Sequence, residues 1–174
     1  MSSFADEIER KRLEAVQRIQ SIPIAVLIWG PDPSSGTPIA QVRSTLKKVL
    51  NNNGHHARFS EELIDPNLPL SILAQQITHA EAFDIVFSLP DSPGSIAELH
   101  DFARVPSVSP KIIAFIDQRW NSGYSNQALM QLQSVATCKL QLYNHHLLPD
   151  CIINNALDMV GRLQEFYYMH GRRF

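Results

Sequence analysis

The stretch DIVFSLPDSPGSIAELHDFA, Asp84 to Ala103, decides the fold. Its first part, Asp84 to Leu89, is short, β-branched and aromatic, and Pro90 closes it, so it reads as a buried strand. Asp91-Ser92-Pro93-Gly94-Ser95 then has the composition of a sharp turn, with Gly94 free of a Cβ. From Ser95 onward Ile96, Leu99, Phe102 and Ala103 fall on one helical stripe, suited to packing on a sheet. A strand-turn-helix junction aims free backbone N–H groups and the positive helix end at one place, which suits a phosphate or carboxylate. Glu98 lies one turn into that helix and has two readings. It completes a Ser95-x-x-Glu98 capping box, or it points over the strand ends as a carboxylate nucleophile for a sugar carbon. In the second reading the helix end favours its ionised form.

The same pattern recurs on both sides. Ile24 to Trp29 is a continuous apolar run after Pro23, as expected of a strand buried on both faces of a parallel sheet. Gly30 to Pro38 is a second small-residue loop, followed by a helix through Val42, Leu46, Val49 and Leu50 that stops at Asn53-Gly54. His55 to Glu62 is a weaker strand, placed near an edge. Ser71 is set to cap a helix through Ile72, Leu73, Ile77 and Ala80. Lys111 to Asp117 reads as a fourth strand, Asn126 to Val135 as a short helix and Lys139 to Tyr143 as a fifth strand. Amphipathic helices close both ends, at about residues 3–20 and 150–170, the latter capped by Asp150. The first carries Phe4, Ile8, Leu13, Val16 and Ile19, a stripe for the sheet or for a second copy in a homodimer.

Strict alternation of strand and helix over 1–174 implies a single α/β domain. We expect a doubly wound, flavodoxin-like, five-stranded parallel sheet of order 2-1-3-4-5 with helices on both faces. The first and third strands are then neighbours at the switch point, and the loops at Gly30 and Asp91 share one crevice.

Composition narrows the chemistry. Fifteen Lys and Arg against 17 Asp and Glu give a net charge of −2, which provides no field for gathering nucleic acid. No apolar run approaches the ~20 residues of a membrane span, and the charged start does not resemble a signal peptide, so a cytoplasmic protein is the default. Cys138 and Cys151 lack metal-ligand spacing and read as buried thiols. The His55-His56 and His145-His146 doublets point apart on a strand, so no metal site is expected. Ser34-Ser35-Gly36-Thr37 lacks the lysine of a Walker loop. Asp117 and Arg119 border the crevice or pair across a loop, and Trp29 and Trp120 end strands on its edge, where they stack a ligand or fill the core.

Gly30-Pro31 after the first strand, the helix ending near Gly54, and DSPGSIAEL after the third strand together resemble nucleoside 2-deoxyribosyltransferases and the related deoxynucleotide N-glycosidases, over about Ile24 to Ile116. The resemblance implies that Glu98 attacks the anomeric carbon and expels the base, without any cofactor. It implies that Ser92, with Gly94 and Ser95, holds a 5′-phosphate, and that Gly30, Pro31 and Asp91 line the substrate. A serine at Ser92 resembles the hydrolases, since the transferases carry an aspartate there. Two positions depart from the family. Its first-strand tyrosine is Leu27, and the acid before the third strand falls near Gln76, leaving His79, Glu81 or Asp91 to protonate the base. The C-terminal asparagine that transferases receive from a neighbouring subunit has no match. The chain is also similar to Toll/interleukin-receptor-like NAD-cleaving modules and to phage-defence effectors, which implies NAD cleavage and a protein partner in a defence system as alternatives. A non-catalytic nucleotide sensor, with Glu98 only capping its helix, is the rival from another class.

Overall fold

The computed structural model describes residues 3–120 and 122–171. Five strands, β1 (Ala25–Trp29), β2 (His56–Phe59), β3 (Ile85–Ser88), β4 (Ile112–Asp117) and β5 (Lys139–Tyr143), form one all-parallel sheet of order 2-1-3-4-5. The expected flavodoxin-like topology is therefore present. The helices are α1 (Phe4–Gln20), α2 (Pro38–Asn52), α3 (Ile72–Ala82), α4 (Pro93–Ala103), α5 (Gly123–Val135) and α6 (Asp150–His170). None is long and apolar enough to cross a membrane.

Alternation along each strand divides the core between two faces. Val26 and Ile28 of β1, Phe87 of β3 and Phe115 of β4 meet α2 and α6 through Val42, Leu46, Ile152 and Ala156. Leu27 and Trp29 of β1, Val86 of β3 and Ala114 of β4 meet α4 and α5 through Leu99, Phe102 and Leu129. Both sets are buried because the central strands are covered on each side, which is why their sequences read as unbroken apolar runs. The weaker β2 occupies one edge. Its exposed-buried alternation matches the half-polar sequence His56-Ala57-Arg58-Phe59.

The helix ends correct two expectations. Helix α4 begins at Pro93, two residues before Ser95, and Ser92 is its cap, accepting the Ser95 N–H. Proline at the first helical position fits this start, since its missing N–H would have had no intrahelical partner. Asp150 is the first residue of α6 rather than its cap; Pro149, after a cis peptide bond, stands before it. Helix α1 rests on α6 and buries none of its residues, so it does not cover the sheet. Phe4, Leu13 and Val16 remain exposed. Both cysteines are free thiols, Cys138 buried and Cys151 half-buried.

His55 is buried where β2 begins, and its Nδ1 accepts the Ile24 N–H at 3.3 Å. Burial, with the charge of His56 added, holds its imidazole below the ordinary value of 6.5. The unfolded chain therefore takes up this proton first as pH falls, so the stability contribution is complete above the unfolded value and shrinks as pH drops below it. Thermal unfolding between about pH 7.5 and 5.5 should show a falling midpoint, and His55→Asn, which keeps an acceptor near Nδ1, should flatten that dependence.

Candidate functional site

A cleft of about 630 Å³ opens over the C-terminal ends of β1 and β3. The sheet order puts it there: β1 and β3 are adjacent while their following helices diverge to opposite faces. Gly30 and Asp32 from the first loop, Ser95 and Glu98 from α4, and Gln76 from α3 all border it. Of the residues expected at the site, Gly30, Ser95 and Glu98 line the cleft. Pro31, Asp91, Ser92 and Gly94 do not line it.

The floor is organised by a residue the sequence reading passed over. Arg43 of α2 is 1% exposed, and its guanidinium donates to Ile28 O and Pro31 O at 2.8 Å each. The same group holds Glu61 by two bonds of 2.7 Å and lies 4.2 Å from the centre of the Phe59 ring. One residue thus ties the end of β1, the Gly30 loop and the turn after β2. Gly30 suits this arrangement. Its φ is +156°, and a Cβ there would lie 3.2 Å from both Arg43 Cδ and Leu89 O. A signal for Arg43 existed in the sequence: Ile39, Arg43, Leu46 and Leu50 fall on one helical stripe, so the arginine had to be buried with them.

Beside this floor, Lys47 pairs with Glu62 and places its ammonium 4.5 Å from the centre of the same Phe59 ring. Burial pushes the Glu62 carboxyl up, but the Lys47 bond and charge and the Phe59 N–H outweigh it and leave the group below its ordinary value. Asp32 also lies below its ordinary value, because the Ser34 N–H and hydroxyl both donate to it. The opposite wall is aromatic. Trp29 stacks on Phe102 with ring centres 4.3 Å apart, and its buried Nε1 has no hydrogen-bond partner.

At the start of α4 two serines satisfy the turn internally. Ser95 Oγ accepts from the N–H groups of Asp91 at 3.1 Å and Ser92 at 3.0 Å, while Ser92 Oγ accepts from Ser95 N–H. The capping box is Ser92 with Ser95, so Glu98 takes no part in it. Glu98 is exposed to the cleft and makes no hydrogen bond or ion pair among the described residues.

No protein-family model and no curated protein matches the chain.

Other residues singled out in the sequence lie elsewhere. Glu81 accepts from Ser107 Oγ near the C-terminal end of α3, and neither it nor His79 lines the cleft. Asp117 pairs with Arg119, which also reaches His145, joining two loops rather than bordering the cleft. Trp120 likewise stands outside it. His100, on the helix beyond Glu98, is half-buried with Nε2 unpartnered. Among the described residues no group of three His, Cys, Asp or Glu is placed to hold a metal ion.

Arg43→Met should lower stability by roughly 2–4 kcal/mol in denaturant unfolding, because two buried carbonyls lose their donor and a bidentate ion pair is lost. Glu61 has a side chain 49% exposed, so Glu61→Gln should cost about 1 kcal/mol or less.

Proposed function

We propose that this protein is an N-glycosidase that cleaves the base–sugar bond of a nucleoside or nucleotide, with Glu98 as nucleophile. The observation that carries the reading is the carboxylate itself. Glu98 borders the switch-point cleft beside the Trp29–Phe102 wall, while Ser92 and Ser95 perform the capping that would otherwise explain an acid at this position. The resemblance of Gly30-Pro31 and of the Asp91–Leu99 stretch to deoxyribosyltransferases and N-glycosidases points to the same residue. A Glu98 oxygen attacks the anomeric carbon, the glycosidic electron pair leaves with the base, and water then hydrolyses the glycosyl ester. Trp29 and Phe102 border the cleft beside it, stacked on each other.

A second reading, a nucleotide-binding sensor that does not cleave, is favoured by one observation: no described residue in the cleft is suited to donating a proton to the departing base. Gln76 cannot, Glu61 is held by Arg43, and Asp32 and Glu62 sit below their ordinary values.

Glu98→Gln separates the two. Under the first reading it should lower base release, followed by mass spectrometry, on the order of 10³-fold or more with ligand binding retained. Unchanged base release in Glu98→Gln would remove Glu98 from the chemistry, and binding without release by the native chain would favour the sensor.

A further inference from the structure

An open sheet has two free edges, each a row of unpaired backbone groups that invites another strand. Here they are β2 and β5, and they differ. The β2 edge is closed. Asn51 lays its amide along the strand as a neighbour would, with Nδ2 donating to Ala57 O at 3.2 Å and Oδ1 accepting the Ala57 N–H at 2.9 Å. His56 and Arg58 stand exposed beside it. The β5 edge has no such cover. Apart from β4, nothing among the described residues bonds to the β5 backbone except Gln141 Nε2, which meets Leu142 O at 3.4 Å.

The side chains along β5 are also unguarded. Alternation puts Lys139, Gln141 and Tyr143 on one face and Leu140 and Leu142 on the other. Leu142 is 57% exposed, and Met130 of α5 is 61% exposed. With the half-buried Leu140 and Trp120 they line an apolar groove of about 400 Å³ at the strand edge. Leu129 and Leu132 anchor α5 to the core, and Met130 lies on the side left open.

The sequence of the edge is its own complement. Leu140-Gln141-Leu142 reads the same in both directions, so two antiparallel copies with a two-fold axis at Gln141 set each Leu140 opposite the other copy's Leu142. The two Gln141 side chains meet at the axis. An amide carries both donor and acceptor and can pair with a copy of itself, whereas within one chain Gln141 makes only the long contact to Leu142 O. Charge favours the same arrangement. Lys139, the one charged residue of the strand, lies at its start, so the two lysines are held about 14 Å apart along the pair. That exceeds the ~8 Å over which exposed charges interact at physiological salt.

We propose that β5 pairs antiparallel with the β5 strand of a second copy of this chain, joining two five-stranded sheets edge to edge. Covering Leu140, Gln141, Leu142, Met130 and part of Trp120 removes roughly 500 Å² on each copy, at about 100 Å² a side chain. The resulting ~1,000 Å² is the lower limit of a specific interface, so the dimer is weak, with Kd on the order of 10 µM. β5 is separated from β3 by β4, and the cleft over β1 and β3 stays open in the pair.

Sedimentation equilibrium of the whole chain from about 1 to 300 µM should show a monomer–dimer equilibrium with that Kd. Leu142→Lys puts a charge on the edge and should weaken association by at least about 100-fold, tenfold for each of the two symmetric contacts. Its thermal midpoint at low concentration should be unchanged, because the position is exposed. Leu13→Lys on α1, which bears the other exposed apolar side chains, should leave association as it was. Under mild oxidation Gln141→Cys should give a disulfide-linked dimer joined at that position by peptide mass spectrometry, and Lys139→Cys at least about tenfold less, its two copies being too far apart to bridge.

A chain that stays monomeric throughout the range, a dimer that survives Leu142→Lys, or a dimer lost in Leu13→Lys would each overturn the proposal. Equal cross-linking of the Gln141→Cys and Lys139→Cys variants would overturn the antiparallel register, and the proposal with it.

Discussion

The buried guanidinium of Arg43 is the interaction on which the cleft depends. Removing such a charge from water costs several kcal/mol after relaxation, and that cost is offset only when nearly every donor finds a partner. Here a bidentate carboxylate, two carbonyls and an aromatic face provide the partners, with Nε alone unmatched. The partners come from the end of β1, the loop after it and the turn after β2. One side chain joins all three. Gly30 answers to the same constraint, because a Cβ there would come within 3.2 Å of both the arginine stem and the Leu89 carbonyl.

A consequence is that the cations nearest the cleft are already committed. Arg43 and Lys47 face Phe59 and the two glutamates rather than open solvent. The α4 terminus is committed in a similar way. A helix N-terminus is a general anion site only while its N–H groups are free, and here the Ser92 and Ser95 hydroxyls already take the N–H groups of Asp91, Ser92 and Ser95.

The sheet was legible in the sequence because central parallel strands are buried on both faces and cannot alternate. Ile24 to Trp29, Asp84 to Leu89 and Lys111 to Asp117 show this directly. Strand order followed from handedness and crossover rules, and with it the meeting of the Gly30 loop and α4. Local capping was less legible. Ser95-x-x-Glu98 satisfies the capping-box pattern, and so does a start at Ser92; the proline at position 93 was the deciding signal and was outweighed. Arg43 was missed because a charged residue in an amphipathic helix is usually assigned to solvent, although its spacing with Ile39 and Leu46 placed it inside. The pairings with Glu61 and Glu62 could not be read at all, since they join α2 to a turn whose approach depends on the register of β2 against β1.

The aim of Glu98 is itself a product of core packing. Trp29 is the last residue of β1, and alternation turns it toward the α4 face of the sheet, where it is buried in the core. Its ring stacks on Phe102, which with Leu99 anchors α4 to the strand end. Glu98 stands four residues before Phe102, one helical turn nearer the N-terminus and on the same face. The contact that seals the core therefore directs the carboxylate over the strand ends. The serine cap fixes where the helix begins and the Trp29–Phe102 contact fixes its rotation. Neither engages the carboxylate, which stays free to meet a ligand.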